Sequence, residues 1–217
     1  MGKRVERVGE RIKSNNCGFM EIIEYNGCQN IKVRFDSSYV AETTYNNFKQ
    51  RRIKDPLFKS VLNKGYFGIG DYKAKIKGNN TKEYDTWKSM LYRAYDPYTL
   101  NKGLTYIDVE VCDEWLCFQN FAKWYEENFY QIPGKQTMSL DKDLIKRNSK
   151  IYSPEFCNFV PQSINSLLIK SDNNRGAYPI GVTFDKRSQM YMTRLSVDGK
   201  LKHLGNYNTS KKNISGL

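Results

Sequence analysis

The sequence predicts an α+β fold, and three observations predict it. A hairpin signal near the start separates two apolar runs, a central block has apolar residues at helical spacing, and alternating runs close the chain. We therefore expect an N-terminal small β-barrel-like module at 1–77, a helical lead-in to a mixed core at 78–170, and a C-terminal three-stranded antiparallel sheet at 171–217.

The N-terminal module is predicted from an Asn-Gly pair that separates residues 19–25 from residues 31–35. Such a pair favours a tight hairpin turn. In the second run, apolar side chains alternate with Lys32 and Arg34, so we expect one face to be buried and the other to offer two cations to solvent. The glycine-rich stretch 65–72 is predicted to be a linker that lets the chain turn between modules.

A cluster of cations follows the predicted β-strands of this module. Four of them lie within six residues: Lys49, Arg51, Arg52 and Lys54. Charge runs are usually solvated turns, but the same cluster at the edge of a small sheet could contact phosphates. The sequence leaves both interpretations open.

The central block predicts two helices. The first is capped by Thr81 or Asp85, and the second begins at Asp113. Apolar residues at helical spacing are expected to pack in the core rather than to stack on bases. They are Trp87, Met90, Leu91 and Tyr95 in the first helix, and Trp115, Phe118, Phe121, Ala122 and Tyr125 in the second.

The last module is predicted to be a meander of three strands at 179–184, 190–197 and 200–207, with a tight turn at Asp198 and Gly199. Cations alternate with apolar residues in the second and third strands. We therefore expect one cationic face that lies in a DNA groove and one apolar face. The candidate contacts are Arg175, Lys186, Arg187, Arg194 and Lys202, with Lys49, Arg51, Arg52 and Lys54 adding backbone contacts.

Charge and composition narrow the class of protein. The net charge is +12, with +8 in residues 1–77, −3 in 78–138 and +5 in 171–217. Basic ends of this kind favour a phosphate-backbone binder over a soluble protein with a lysine-rich surface. Five cysteines without a CxxC pair predict reduced thiols and no structural zinc. No run is long enough to span a membrane, and the N-terminus lacks a signal-peptide core, so we expect a cytoplasmic protein.

Several strings of residues resemble phage-encoded HNH homing-endonuclease-like proteins. They are residues 86–95, 109–121, 140–143 and 152–157. The last module, from Gly181-Val to His-Leu-Gly-Asn-Tyr at 203–207, is similar to the APETALA-type (ethylene-response-factor) DNA-binding sheet that phage HNH proteins often carry. The two resemblances together cover well over half of the chain.

The resemblance implies an HNH-like ββα core with a metal-dependent nuclease site. It places Asp141 and Asn165 as ligands, for which Mg²⁺ is the suitable cation. Lys142 stands where the family has its catalytic histidine, and the only histidine of the chain is His203, in the last sheet. Lysine side chains are protonated at neutral pH and make poor general bases. The candidate catalytic residues are therefore Asp141, Lys142 as a phosphate contact, and Asp143 as a weak base.

Three functions follow as alternatives. The first is a phage-type protein that binds double-stranded DNA on a degenerate HNH scaffold. The second is an active Mg²⁺-dependent endonuclease that nicks or cleaves DNA. The third is a phage protein that binds and inhibits a host defence protein. A homodimer is a further expectation, since the short last module would leave its apolar face poorly covered.

Overall fold

The computed structural model describes residues 6–98, 108–134, 137–146, 149–162, 164, 178–179, 181–197 and 200–209. The chain forms two compact units, Met1–Asn165 and Ser166–Leu217. Helices and several small, mostly antiparallel sheets are mixed along it, which confirms the α+β class. The division into three modules at residues 77/78 and 170/171 stays a prediction.

The first sheet has four antiparallel strands in chain order. They are β1 (Arg11–Lys13), β2 (Phe19–Tyr25), β3 (Ile31–Phe35) and β4 (Val40–Thr43). Its buried face packs on the short helix α1 (Tyr45–Lys49) through Phe48, which is fully buried. Among the described strands β1 pairs with β2 alone and β4 with β3 alone. The sheet is therefore open, and the predicted barrel-like closure is wrong.

The helical block forms the larger core. It consists of α2 (Lys82–Tyr95), α3 (Asp113–Leu116) and α4 (Phe118–Asn128). Thr81 is the N-cap of α2, because its hydroxyl accepts the amide N–H of Tyr84 at 3.4 Å. The five residues predicted to form the stripe of the second helix are all buried.

The predicted second helix is broken at Cys117, which has extended backbone (φ −85°, ψ 120°). Tyr66 causes the break by forming a β-bridge there. Its N–H donates to Leu116 O and its carbonyl accepts from Phe118 N, both at 2.9 Å. A neighbouring segment therefore replaces helical hydrogen bonds at this point.

The glycine-rich stretch, which the sequence predicts to be a linker between modules, packs against this core. A Cβ on Gly65 would overlap Leu91, and one on Gly68 would overlap the sulfur of Cys117. The backbone therefore approaches the helices so closely that only glycine fits.

The remaining strands of the first unit pair in three short sets. β5 (Lys75–Ile76) and β6 (Asn79–Asn80) form a hairpin, β7 (Glu110–Val111) pairs parallel to β9 (Ile151–Tyr152), and β8 (Met138–Asp141) pairs antiparallel to β10 (Asn158–Pro161). Asp141, which the resemblance assigns to an HNH-like ββα core, is the last residue of β8, and that core stays a prediction. Most of the helix predicted after β10 lies outside the described residues, as do Asn165 and Arg175.

The last unit contains the predicted three-stranded antiparallel meander. Its strands are β11 (Val182–Asp185), β12 (Met190–Val197) and β13 (Lys200–Tyr207). Tyr178 packs on one face, with its ring centroid 5.0 Å from that of Tyr191. The predicted turn between β12 and β13 lies outside the described residues. No helix in the described part of the chain is long and apolar enough to cross a bilayer.

Candidate nucleic-acid interface

The Asp141 loop begins where β8 ends. Asp141 pairs with Asn158 of β10, and its Oδ1 accepts the N–H groups of Asp143 at 2.9 Å and Leu144 at 2.8 Å. An aspartate that accepts N–H groups two and three residues ahead stabilises a turn. One oxygen of the predicted metal ligand is therefore already engaged in shaping the loop.

Lys142 is buried, with 6% of the residue exposed. Its Nζ donates to both carboxylate oxygens of Asp143, at 2.8 and 2.9 Å. Lysine is almost never fully buried unless it is paired, because an isolated ammonium loses its hydration. Lys142 is therefore a buried cation neutralised by its neighbour, and a phosphate could reach it only if the pair opened.

The described residues do not by themselves form a magnesium site. No group of three or more His, Cys, Asp or Glu residues in the described part of the chain could hold a metal ion. Asp141 has one oxygen engaged, and the Asp143 carboxylate already faces an ammonium, which disfavours a second cation beside it. Asn165, the second predicted ligand, lies outside the described residues. The predicted Mg²⁺ site stays a prediction.

We expect Asp143→Ala to destabilise the protein more than Lys142→Met does. Asp143→Ala leaves the ammonium buried without its partner, and since Asp143 is half exposed the cost should be about 2 kcal/mol, below the ~3–5 of a fully buried pair. Lys142→Met removes the charge and keeps the apolar stem, so its free energy of unfolding should stay within about 1 kcal/mol of wild type.

Urea denaturation of the two variants measures both free energies. A larger loss for Lys142→Met than for Asp143→Ala would contradict the structural role, because it would mean that the ammonium makes contacts beyond its neighbour.

Arg93, on the last turn of α2, lies against the ring of Tyr152 in β9 and was not assigned a role from the sequence. Its guanidinium carbon lies 5.4 Å from the centroid of the Tyr152 ring. Burial raises the pKa of the neighbouring Cys157 thiol to about 12. A hydrogen bond with the Ser153 backbone and the charge of Arg93 act to lower this pKa, and the charge of Asp141 acts to raise it. The sequence signal was present in the string 86–95, but only packing places this cation beside Tyr152 of β9 and near Cys157.

The exposed face of the first sheet carries paired charges. Lys32 lies 2.9 Å from Glu24 of β2, and Arg34 lies 3.4 Å from Glu21. Arg11 pairs with an aspartate at 2.8 Å. Lys32 and Arg34 lie on the face opposite the buried side chains of β3, as predicted, but acids on the adjacent strand pair with both of them. This face is not the basic surface of the module.

The basic segment, residues 49–54, supplies free cations instead. Arg51 has φ +57°, donates its N–H to Phe48 O at 2.9 Å, and is followed by Arg52 N–H to Asn47 O at 3.1 Å. This is the Schellman arrangement that ends a helix, and glycine is the usual residue at the left-handed position. An arginine stands there instead, with its side chain in solvent.

Pairing differs among the four cations of the basic segment. Lys49 lies 3.9 Å from Glu10, a marginal ion pair. Arg51, Arg52 and Lys54 are exposed, and none of them forms an ion pair with another described residue. These three therefore remain free to bind an external anion.

A turn in the last unit displays two more of the predicted contacts, Lys186 and Arg187, between β11 and β12. Asp185 stabilises the turn by accepting the Ser188 hydroxyl at 2.7 Å and the Arg187 N–H at 3.0 Å. These hydrogen bonds hold the pKa of Asp185 below its ordinary value. Both cations are exposed and neither is ion-paired within the described residues.

The register of β12 and β13 places Arg194 and Lys202 on opposite faces. Arg194 pairs with His203, whereas Lys202 pairs with Leu195, the next residue along β12. Directly paired residues share a face and successive residues alternate. The predicted separation into one cationic and one apolar face is therefore wrong, although Arg194 and Lys202 are both exposed.

Comparison with known proteins returned no match among family models, curated protein sequences or solved structures. The function proposed below is therefore supported by the residues of this chain and their arrangement.

Proposed function

We propose that this chain is a phage-type double-stranded DNA-binding protein built on a degenerate HNH endonuclease scaffold. The observation that carries the proposal is a set of exposed cations with no ion-pair partner among the described residues. They are Arg51, Arg52, Lys54, Lys186, Arg187, Arg194 and Lys202.

Free cations distinguish a phosphate-binding surface from a merely charged one. A cation already paired with a carboxylate must lose that partner before it gains a phosphate, whereas a solvated one displaces only counterions from the nucleic acid. Both basic ends of the chain supply free cations, and the net charge of +12 adds long-range attraction to DNA.

The degenerate character of the scaffold is supported by the Asp141 loop. Asp141 engages two backbone N–H groups, and Lys142 is buried and bound to Asp143. A lysine that is buried and bound to Asp143, where a neutral base is needed, is poorly suited to activate water.

Titration of a labelled 25-base-pair duplex across salt concentrations tests DNA binding. The logarithm of the association constant should fall linearly with the logarithm of salt concentration, with a slope of about −0.9 for each phosphate that the protein neutralises. Neutralisation of about six phosphates would give a slope near −5. Absent or salt-insensitive binding would contradict the proposal and favour a host protein as the partner.

An active nuclease is the second candidate, because Asp141 stands at the end of β8, where the resemblance places the metal-binding acid. Incubation of the protein with supercoiled plasmid in Mg²⁺, Mn²⁺ or EDTA separates the two candidates. We expect the plasmid to be retarded on the gel but not nicked.

Nicking that requires metal and is lost in Asp141→Asn would overturn the degenerate scaffold in favour of an active enzyme. The Asn variant is the sharper control, since its side-chain oxygen still accepts the two N–H groups that shape the loop, whereas Asp141→Ala removes that acceptor as well.

A further inference from the structure

The hairpin of β5 and β6 is an exposed finger on the first unit. Every residue from Lys75 to Asn80 is exposed, and the side chain near its tip, Ile76, is 57% exposed. Residues 73–82 contain four lysines and no acid. None of these lysines forms an ion pair with a described residue.

The finger has a defined conformation at its tip. Lys77 and Gly78, its two loop residues, have φ values of +49° and +84°, as in the mirror-image turns that favour tight hairpins. Ile76 pairs with Asn79, and Lys75 pairs with Asn80. One face of the hairpin therefore presents an apolar side chain beside an amide, and the other presents a lysine.

The base of the finger is clamped to the core. The side-chain amide of Gln119, which is buried, accepts Tyr72 N–H and donates to Tyr72 O, both at 3.0 Å. On the other strand Thr81 donates its N–H to Ala74 O at 3.0 Å, and Asn80 donates its side-chain N–H to Asp85 at 2.7 Å. These bonds hold the base in place, so little ordering is needed when the tip meets a partner.

We propose that this hairpin enters the minor groove of double-stranded DNA, with Ile76 wedged against a base step and Lys75 and Lys77 on the flanking phosphates. The inference rests on the proposed DNA binding and names an element that the candidate contacts above do not include. Minor-groove proteins insert an apolar side chain between two base pairs, with lysine and asparagine beside it, and thereby unstack the two pairs and kink the duplex.

The amide of Asn79 fits the same groove. It shares a face with Ile76, and a side-chain N–H₂ can donate to the acceptors that adenine and thymine present there. A single exposed isoleucine needs no special explanation in an ordinary protein surface. Here Ile76 stands near the tip of a hairpin whose base is held to the core, between lysines without ion-pair partners among the described residues. The lysines suit the phosphates of DNA, and the apolar side chain suits its stacked bases.

The test compares Ile76→Ser with Val40→Ser, a matched loss of an exposed β-branched residue on the sheet face whose charges are paired. Ile76→Ser should weaken binding of a duplex by about tenfold, because an apolar side chain is no longer buried on binding. Its salt slope should be unchanged, and the DNA bend measured by end-to-end energy transfer should be reduced. Val40→Ser should match wild type in affinity and bend.

A second variant separates the lysines from the wedge. Lys75→Gln with Lys77→Gln should make the salt slope shallower by about 2, because two phosphates are no longer neutralised. The inference would be overturned if wild type binds DNA in a salt-dependent way and both hairpin variants keep its affinity, salt slope and DNA bend. That result would leave the proposed DNA binding standing, and the finger would be free for a protein contact. Wild type that binds no duplex would overturn both.

Discussion

Replacement of Arg51, Arg52 and Lys54 together by glutamine is expected to weaken DNA binding about a hundredfold at low salt. These three cations are exposed and unpaired within the described residues, so each is able to displace one condensed counterion. The salt slope should become shallower by about 2.7, which is ~0.9 for each phosphate that is no longer neutralised. Fluorescence anisotropy of a labelled duplex at several salt concentrations measures both quantities.

The control triple replaces Arg11, Lys32 and Arg34 by glutamine. It changes the net charge by the same amount in the same N-terminal region, but each of these cations already faces a carboxylate within 3.4 Å. Exposed ion pairs contribute little to stability, so the control variant should fold normally. Its salt slope should equal that of wild type. Equal slopes in the two triples would mean that overall charge, rather than the basic segment, drives binding.

Gly68→Ala is expected to lower the free energy of unfolding by about 3 kcal/mol. Gly68 has φ +81°, a conformation that costs an L-residue about 1–2 kcal/mol. A new Cβ would also overlap the sulfur of Cys117 and lie 3.1 Å from Gln119 Cγ. Overpacking of this kind typically costs about 1–3 kcal/mol more. Urea denaturation followed by tryptophan fluorescence measures the loss.

Gly9→Ala is the matched control, because Gly9 also has positive φ (+88°) but a Cβ there would meet nothing within 4 Å. It should lose only the backbone contribution, about 1 kcal/mol. The difference between the two variants isolates the close approach to the core. If both lose the same free energy, the segment does not pack against Cys117 as the structure describes.

These two experiments concern different properties of the molecule. The glycine variant tests how the segment that precedes the hairpin is held against the helices, and the cation variants test what the surface binds. The Gln119 clamp belongs to the same packed region, so the positioning of the Lys75–Asn80 finger depends on core packing as well as on its own turn.

Local patterns predicted the longer helices and strands. Helical spacing from Trp87 to Tyr95 predicted α2, Thr81 was one of its two predicted caps beside Asp85, and alternation predicted β11, β12 and β13. These predictions succeed because periodicity and capping depend on residues within one turn or one strand. The second helix was predicted as continuous, and it breaks at Cys117 because Tyr66, far away in sequence, takes over its hydrogen bonds.

In the candidate site, too, the residues were predicted from the sequence but their contacts were not. The resemblance singled out Asp141, Lys142 and Asp143, but burial of the ammonium against Asp143 depends on how the loop packs. The sequence likewise shows where the cations lie along the chain without distinguishing those that carboxylates already neutralise. The register between strands decides which cations stand opposite a carboxylate, and the spacing of residues along one strand does not show that register. The sequence assigned no role to Arg93 or to the Lys75–Asn80 finger, because their surroundings depend on contacts between distant segments.

The sequence by itself determined that this protein is basic at both ends, mixes helices with small sheets, and carries an acidic loop without a nearby histidine. Those properties follow from composition and from contacts between residues close in the chain. Only the tertiary structure decided which cations lack an ion-pair partner, which glycines pack too closely for a side chain, and which hairpin is exposed. Those properties depend on contacts between distant segments, which form only when the chain packs.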